Sequence, residues 1–206
     1  MKNTFEQFSG VYAILSGIAG FAYAVAFFII SRNNAEMGAL LSGLFLLLTG
    51  LFATAALVAV YMHLRETSEG FALWALVLGL AGAVGMAIHG GYDLANAINP
   101  PGVNTPSLAS LPSQIDPRGL LSFGVGGIAL FTVSWLMGKN KFFPKNLSYL
   151  GYTSAVLLVI LYLGRMILLD PSNPIIAYSA LINGFLVNPA WYIWLGLILL
   201  RHERHG

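Results

Sequence analysis

Cysteine is absent from this chain of 206 residues, and charge is scarce, with ten Lys and Arg against eight Asp and Glu. The first absence excludes disulfides, thiolate metal sites and cysteine nucleophiles. The second excludes an ordinary water-soluble domain, which carries about 25% charged residues to coat its surface; here they make up 9%. A net charge of +2 is too small for recognition of a phosphate backbone, so no nucleic-acid partner is expected. Signatures of water-borne chemistry are missing as well. There is no GxSxG nucleophile elbow, no HExxH zinc motif, and no strand followed by a glycine-rich phosphate loop.

Apolar and aromatic residues fill the space left, at 57% of the chain. They gather into six runs, roughly 8–30, 38–64, 71–98, 120–137, 147–169 and 175–200. Each is about long enough to cross a ~30 Å hydrocarbon core as a helix rising 1.5 Å per residue. Strands of a transmembrane barrel would be about ten residues long and alternate in polarity; these runs do neither. The expectation is an all-α fold, a single six-helix transmembrane domain over residues 1–206, with the lipid bilayer as its first partner. The first run looks retained rather than cleaved as a signal peptide, since Lys2 is balanced by Glu6 and the apolar stretch continues to Arg32.

Lys and Arg give the orientation. With the N-terminus inside, the cytoplasmic flanks receive Lys2, Arg65, Lys139, Lys141, Lys145, Arg201 and Arg204, and the outer flanks only Arg32, Arg118 and Arg165. Short loops biased in this way follow the positive-inside rule. Both termini are therefore expected in the cytoplasm of a prokaryote, with the protein in its inner membrane and a long outer loop at 99–117. Small residues at Gly79, Ala83, Ala87, Gly91 and Ala95 recur every fourth position of the third run, a stripe that lets helix backbones approach closely in lipid.

Polar residues within such runs are costly and are candidates for function. His89, Asp93 and Asn96 are spaced i, i+4, i+7 and so share one helical face near the outer end of the third helix. Arg165 lies at similar depth in the fifth helix and is the expected partner of Asp93, with His89 one turn below as the floor of a pocket. Asp116, in the loop, is expected to stay hydrated and to matter less. In the sixth helix Asn183 is a further candidate ligand-binding residue, and Asn188-Pro189 predicts a kink, because proline removes one helix hydrogen bond. No metal site is expected, since His89 and Asp93 offer two ligands from a single helix. Haem is excluded because His63 and His89 fall at opposite helix ends. No cofactor is expected.

The stretch Phe143-Pro144-Lys145-Asn146-Leu147-Ser148-Tyr149-Leu150-Gly151 opening the fifth run, with Leu199-Leu200-Arg201 closing the sixth, resembles a group of prokaryotic six-transmembrane-helix membrane proteins that form a domain family of unknown function. The resemblance implies a topology and no catalytic residue. The expected function is binding or transport of a small ligand in an outward-facing polar pocket. Two alternatives stand beside it. One is an accessory or scaffold subunit, self-associating or packed into a larger membrane complex. The other is a membrane enzyme using the His89/Asp93 cluster.

Overall fold

The computed structural model describes residues 4–99, 116–168 and 173–202. Every element in them is helical. Six helices are long and apolar enough to span a bilayer: α1 (Thr4–Asn33), α2 (Ala35–Leu64), α3 (Glu69–Ile98), α4 (Leu120–Lys139), α5 (Lys145–Ile167) and α6 (Pro174–Arg201). The chain is thus an all-α multi-pass bundle. Most of the 99–117 loop, with Asp170 and the tail beyond His202, lies outside the described residues.

Polar residues set the breaks, though more sparingly than their number suggests. The five residues Arg32 to Glu36 contribute only one non-helical position, Asn34 (φ −148°, ψ 101°), whose side chain accepts a hydrogen bond from the Met37 N–H. That N-cap satisfies one of the free donors at the start of α2. A one-residue turn forces the two helices together at once, and Gly38 is where they meet. A Cβ there would lie only 2.7 Å from Ser31 N.

Lipid tails are as apolar as leucine, so burial of apolar surface does little to drive these helices together, and close packing has to do it. Glycines mark each contact around a closed ring. Gly10 and Gly17 of α1 sit against Gly196 and Pro189 of α6, and Gly43 and Gly50 of α2 lie on Gly90 and Ala87 of α3. Gly82 of α3 faces Gly126 of α4, Gly127 of α4 faces Ala155 of α5, and Gly164 of α5 faces Ile176 of α6. The small-residue stripe of α3 does face α2 at Gly79, Ala83 and Ala87, and then leaves it: Gly90 makes the next close contact and Ala95 is exposed. A four-residue period drifts by about 40° per step on a helix of 3.6 residues per turn, which carries the far end of the stripe off the contact. Outward faces are apolar throughout, with Val77, Ile88, Ile128, Phe131 and Leu186 all exposed. Apolar surface of that extent suits a lipid environment.

The ring differs between its ends. At the end carrying Thr4, Leu64 and Arg201 it is solid: Leu64, Leu136, Met137, Leu147, Leu195 and Leu199 are fully buried in one continuous core. His63 there bonds Glu6 at 3.0 Å and stacks on Phe142, and Asn140 ties the α4–α5 turn to the His63 carbonyl at 3.1 Å. Toward the other end, where Asn34, Ile98 and Pro174 lie, the ring is hollow.

Candidate functional site

The hollow is a cavity of about 700 Å³ reached by residues of all six helices. Four of the five ligand-binding candidates read from the sequence line it: His89, Asp93, Arg165 and Asn183, joined by Asn188. Asn96 is half-buried and lies outside the lining.

Three helices widen where they border it. Residues Ala26–Ile30 of α1, Leu120–Val125 of α4 and Asn183–Val187 of α6 are π-helical. An extra residue per turn turns side chains out of their α-helical register, and such segments recur at functional sites. Here they bring Phe27 and Phe28, Ser122 and Phe123, and Asn183 and Gly184 to the wall. The cause is plain in α6. Pro189 has no N–H, and one residue before it the Asn188 N–H reaches back five positions to the Asn183 carbonyl. The helix continues without a break, its register changed. In α1, Ser31 closes the wide turn, its hydroxyl and its N–H both donating to the Ala26 carbonyl.

His89 stands between two carboxylates. Its Nε2 is 3.4 Å from Asp93 Oδ2 and its Nδ1 is 3.7 Å from Asp116 Oδ2. This corrects two expectations. Asp93 faces His89, and among the described residues no ion pair joins it to Arg165. Arg165 instead lies over the Phe123 ring, its Cζ 5.4 Å from the ring centre, within Coulombic reach of Tyr23 and His89. His89 is consequently held between acids rather than lying beneath an ion pair.

The second correction concerns Asp116, which is 1% exposed rather than hydrated. Arg118 (φ 56°) and Gly119 (φ 82°) both take left-handed backbone geometry and fold the chain back over the start of α4. A non-glycine residue there is strained, and surrounding contacts must hold it. The Arg118 guanidinium donates to the Met166 carbonyl at 2.9 Å. The turn places Asp116 over donors that the first turn of a helix leaves free. Its Oδ1 accepts from Leu121 N at 2.7 Å, and its Oδ2 from Ser122 Oγ at 2.6 Å and Ser122 N at 3.3 Å. Burial pushes this carboxyl up, but the facing His89 ring and the Ser122 and Leu121 donors outweigh it and bring it from the ordinary 3.8 to about 2. No sequence signal marks Asp116 as a buried anchor. Tyr23, Arg32 and Trp191 are further lining residues that the sequence did not single out.

Deeper down, some polar groups pair with one another, while the buried Trp191 Nε1 has no hydrogen-bond partner among the described residues. Ser154 Oγ donates to Asn183 Oδ1 at 2.8 Å, and Asn188 Nδ2 reaches Ser154 Oγ at 3.4 Å, linking α5 to both sides of the α6 irregularity. Ser122, the hydroxyl beside His89, is committed to Asp116. The chamber therefore offers a charged and aromatic rim over a largely apolar interior. Comparison with protein-family models, curated proteins and solved structures gives no match for this chain.

Proposed function

We propose that this chain is a multi-pass protein of a prokaryotic cytoplasmic membrane that binds or transports a small molecule through the interhelical chamber, entered from the outer side. The observation that carries the reading is the chamber itself. At about 700 Å³, with apolar walls and few polar groups gathered at one end, it has the size and lining of a small-molecule site. A bundle that only scaffolds a complex has no need of such a void, because close packing is what stabilises helices in lipid. The orientation is supported by charge: Arg65, Lys139, Lys141, Lys145 and Arg201 flank the solid end, and Arg32, Arg118 and Arg165 the hollow one.

Two experiments test the parts separately. For orientation, a membrane-impermeant thiol reagent added to intact cells should label Asn104→Cys and leave the exposed Lys141→Cys unlabelled; the reverse pattern would refute the outward-facing assignment. For the site, native mass spectrometry of protein released gently from its own membrane should show about one retained small-molecule mass per chain. Ala180→Phe, which intrudes on the lining, should abolish it. A chain that carries no such mass, or keeps it in the variant, is not a binder of this kind.

A further inference from the structure

We infer that the ligand is an anionic single-chain amphiphile, its acidic head held by Arg32 and Arg165 at the rim and its hydrocarbon chain lying along the chamber toward Trp191. This rests on the reading of the chamber as a ligand site and names the class of molecule that site takes.

Charge is the first argument. Arg32 and Arg165 both line the chamber, and among the described residues neither is within ion-pair distance of a carboxylate. Among the described residues Asp93 is the one carboxylate in the lining, and His89 already faces it. Asp116 is buried and turned to the backbone of α4, and Arg118 is bound to the Met166 carbonyl outside the lining. Among the described residues the rim thus holds two guanidiniums with no carboxylate partner, against a single acid that His89 faces. An arginine near the hydrocarbon calls for an anion, and its planar fork matches the two oxygens of a carboxylate or phosphate. A cationic ligand would meet two like charges.

Shape is the second argument. Along α3 alone the lining runs from Asp93 to Gly79, about 21 Å of helical rise. A chamber bordered by α3 over that length has room for an extended hydrocarbon chain along the helix. Below the rim the walls are mostly apolar, with Met86, Leu158, Leu161 and aromatic rings, and of the polar groups there the Thr49 hydroxyl donates to the Phe45 carbonyl and the Asn183 side-chain oxygen accepts from Ser154. A hydrocarbon chain finds more wall to pack on than a sugar or an amino acid finds groups to bond.

Trp191 supplies the readout. It lines the chamber and is 1% exposed, so a quencher dissolved in the surrounding detergent has no access to it. With Trp74, Trp135 and Trp194 changed to Phe, its fluorescence reports only what enters the chamber. In neutral maltoside micelles we expect ω-bromododecanoate to quench saturably, at concentrations about tenfold below those needed for ω-bromododecanol or ω-bromododecyltrimethylammonium. Arg32→Gln with Arg165→Gln should raise the acid's midpoint to that of the alcohol and leave the alcohol unchanged, whereas the two lysine variants should retain most of the preference. Quenching by none of the three probes would remove the ligand-site reading itself. Quenching by all three without preference, or best by the ammonium, would overturn the anionic class and leave the site standing. Displacement of the bromo acid by acetate as effectively as by decanoate would mean a small-anion site, which also overturns the inference.

Discussion

Asp116→Asn should lower the midpoint of thermal unfolding in detergent well below that of Asp93→Asn, although Asp93 sits in a membrane-spanning helix and Asp116 in a connection. Both oxygens of Asp116 accept from donors that have no helical partner, and the side chain is shut away from water. An amide presents an NH₂ group to one of those N–H sets, so at least one buried donor loses its acceptor. The expected cost is about 3 kcal/mol, in the range for hydrogen bonds to a charged group and for a buried donor left unmade. The Asp93 side chain is 37% exposed and gives up only its contact with His89, for about 1 kcal/mol or less. Equal melting of the two variants would contradict the capping role. Acid provides a second check. The folded carboxyl titrates at about 2 against an ordinary 3.8, so its contribution is fully present above about pH 4 and disappears as pH falls through 2. The gap between wild type and Asp116→Asn should narrow across that window, and a constant gap would place the stabilisation elsewhere.

The larger effect is expected at the α2–α3 crossing. A Cβ on Gly50 would lie 2.7 Å from Ala87 N and 3.1 Å from Ala87 Cα, with the Ala83 carbonyl closer still. All three are backbone atoms of a neighbouring helix and have no rotamer to change. Gly50→Ala must push the two helices apart, and the destabilisation should reach about 3 kcal/mol or more, at the upper end for overpacking. Gly70→Ala is the control, since nothing lies within 4 Å of a Cβ there. It should be neutral or stabilising by up to about 1 kcal/mol, because alanine favours the helix. Monodisperse yield and thermal midpoint in a mild detergent would separate the two. If Gly50→Ala behaves like Gly70→Ala, the helices are not held at the spacing described.

The six spans were legible because bilayer thickness and the cost of charge in hydrocarbon leave few other readings of runs that long. Their ends were less so. The segment from Arg32 to Glu36 is polar enough for a loop, yet a single extended residue at Asn34 makes the turn, helped by the missing side chain of Gly38 four positions on. The chamber was legible in part. His89, Asp93, Arg165 and Asn183 stand out as polar residues in apolar runs, and they do border one space. Which of them touch was not readable, because depth along a helix says nothing about rotation toward a neighbour. Asp116 was passed over for a related reason: its burial depends on the left-handed backbone of Arg118, and an arginine ordinarily avoids that geometry. Of the three π-helical segments only the one beside Pro189 has a covalent cause in view; those in α1 and α4 contain no proline.

The solid end of the ring has a kinetic meaning. The hollow stops at Trp191 and Tyr192, and beneath them Leu64, Leu136, Leu195 and Leu199 close the axis with no accessible surface to speak of. In this conformation the chamber is a well with a floor. On the proposed function, a bound molecule departs by the mouth it entered, so arrivals compete with departures and nothing flows through. Net passage across the membrane would require those leucines to part and re-form on every turnover. Such a cycle is slow, stoichiometric and saturable, whereas a pore conducts for as long as it stays open.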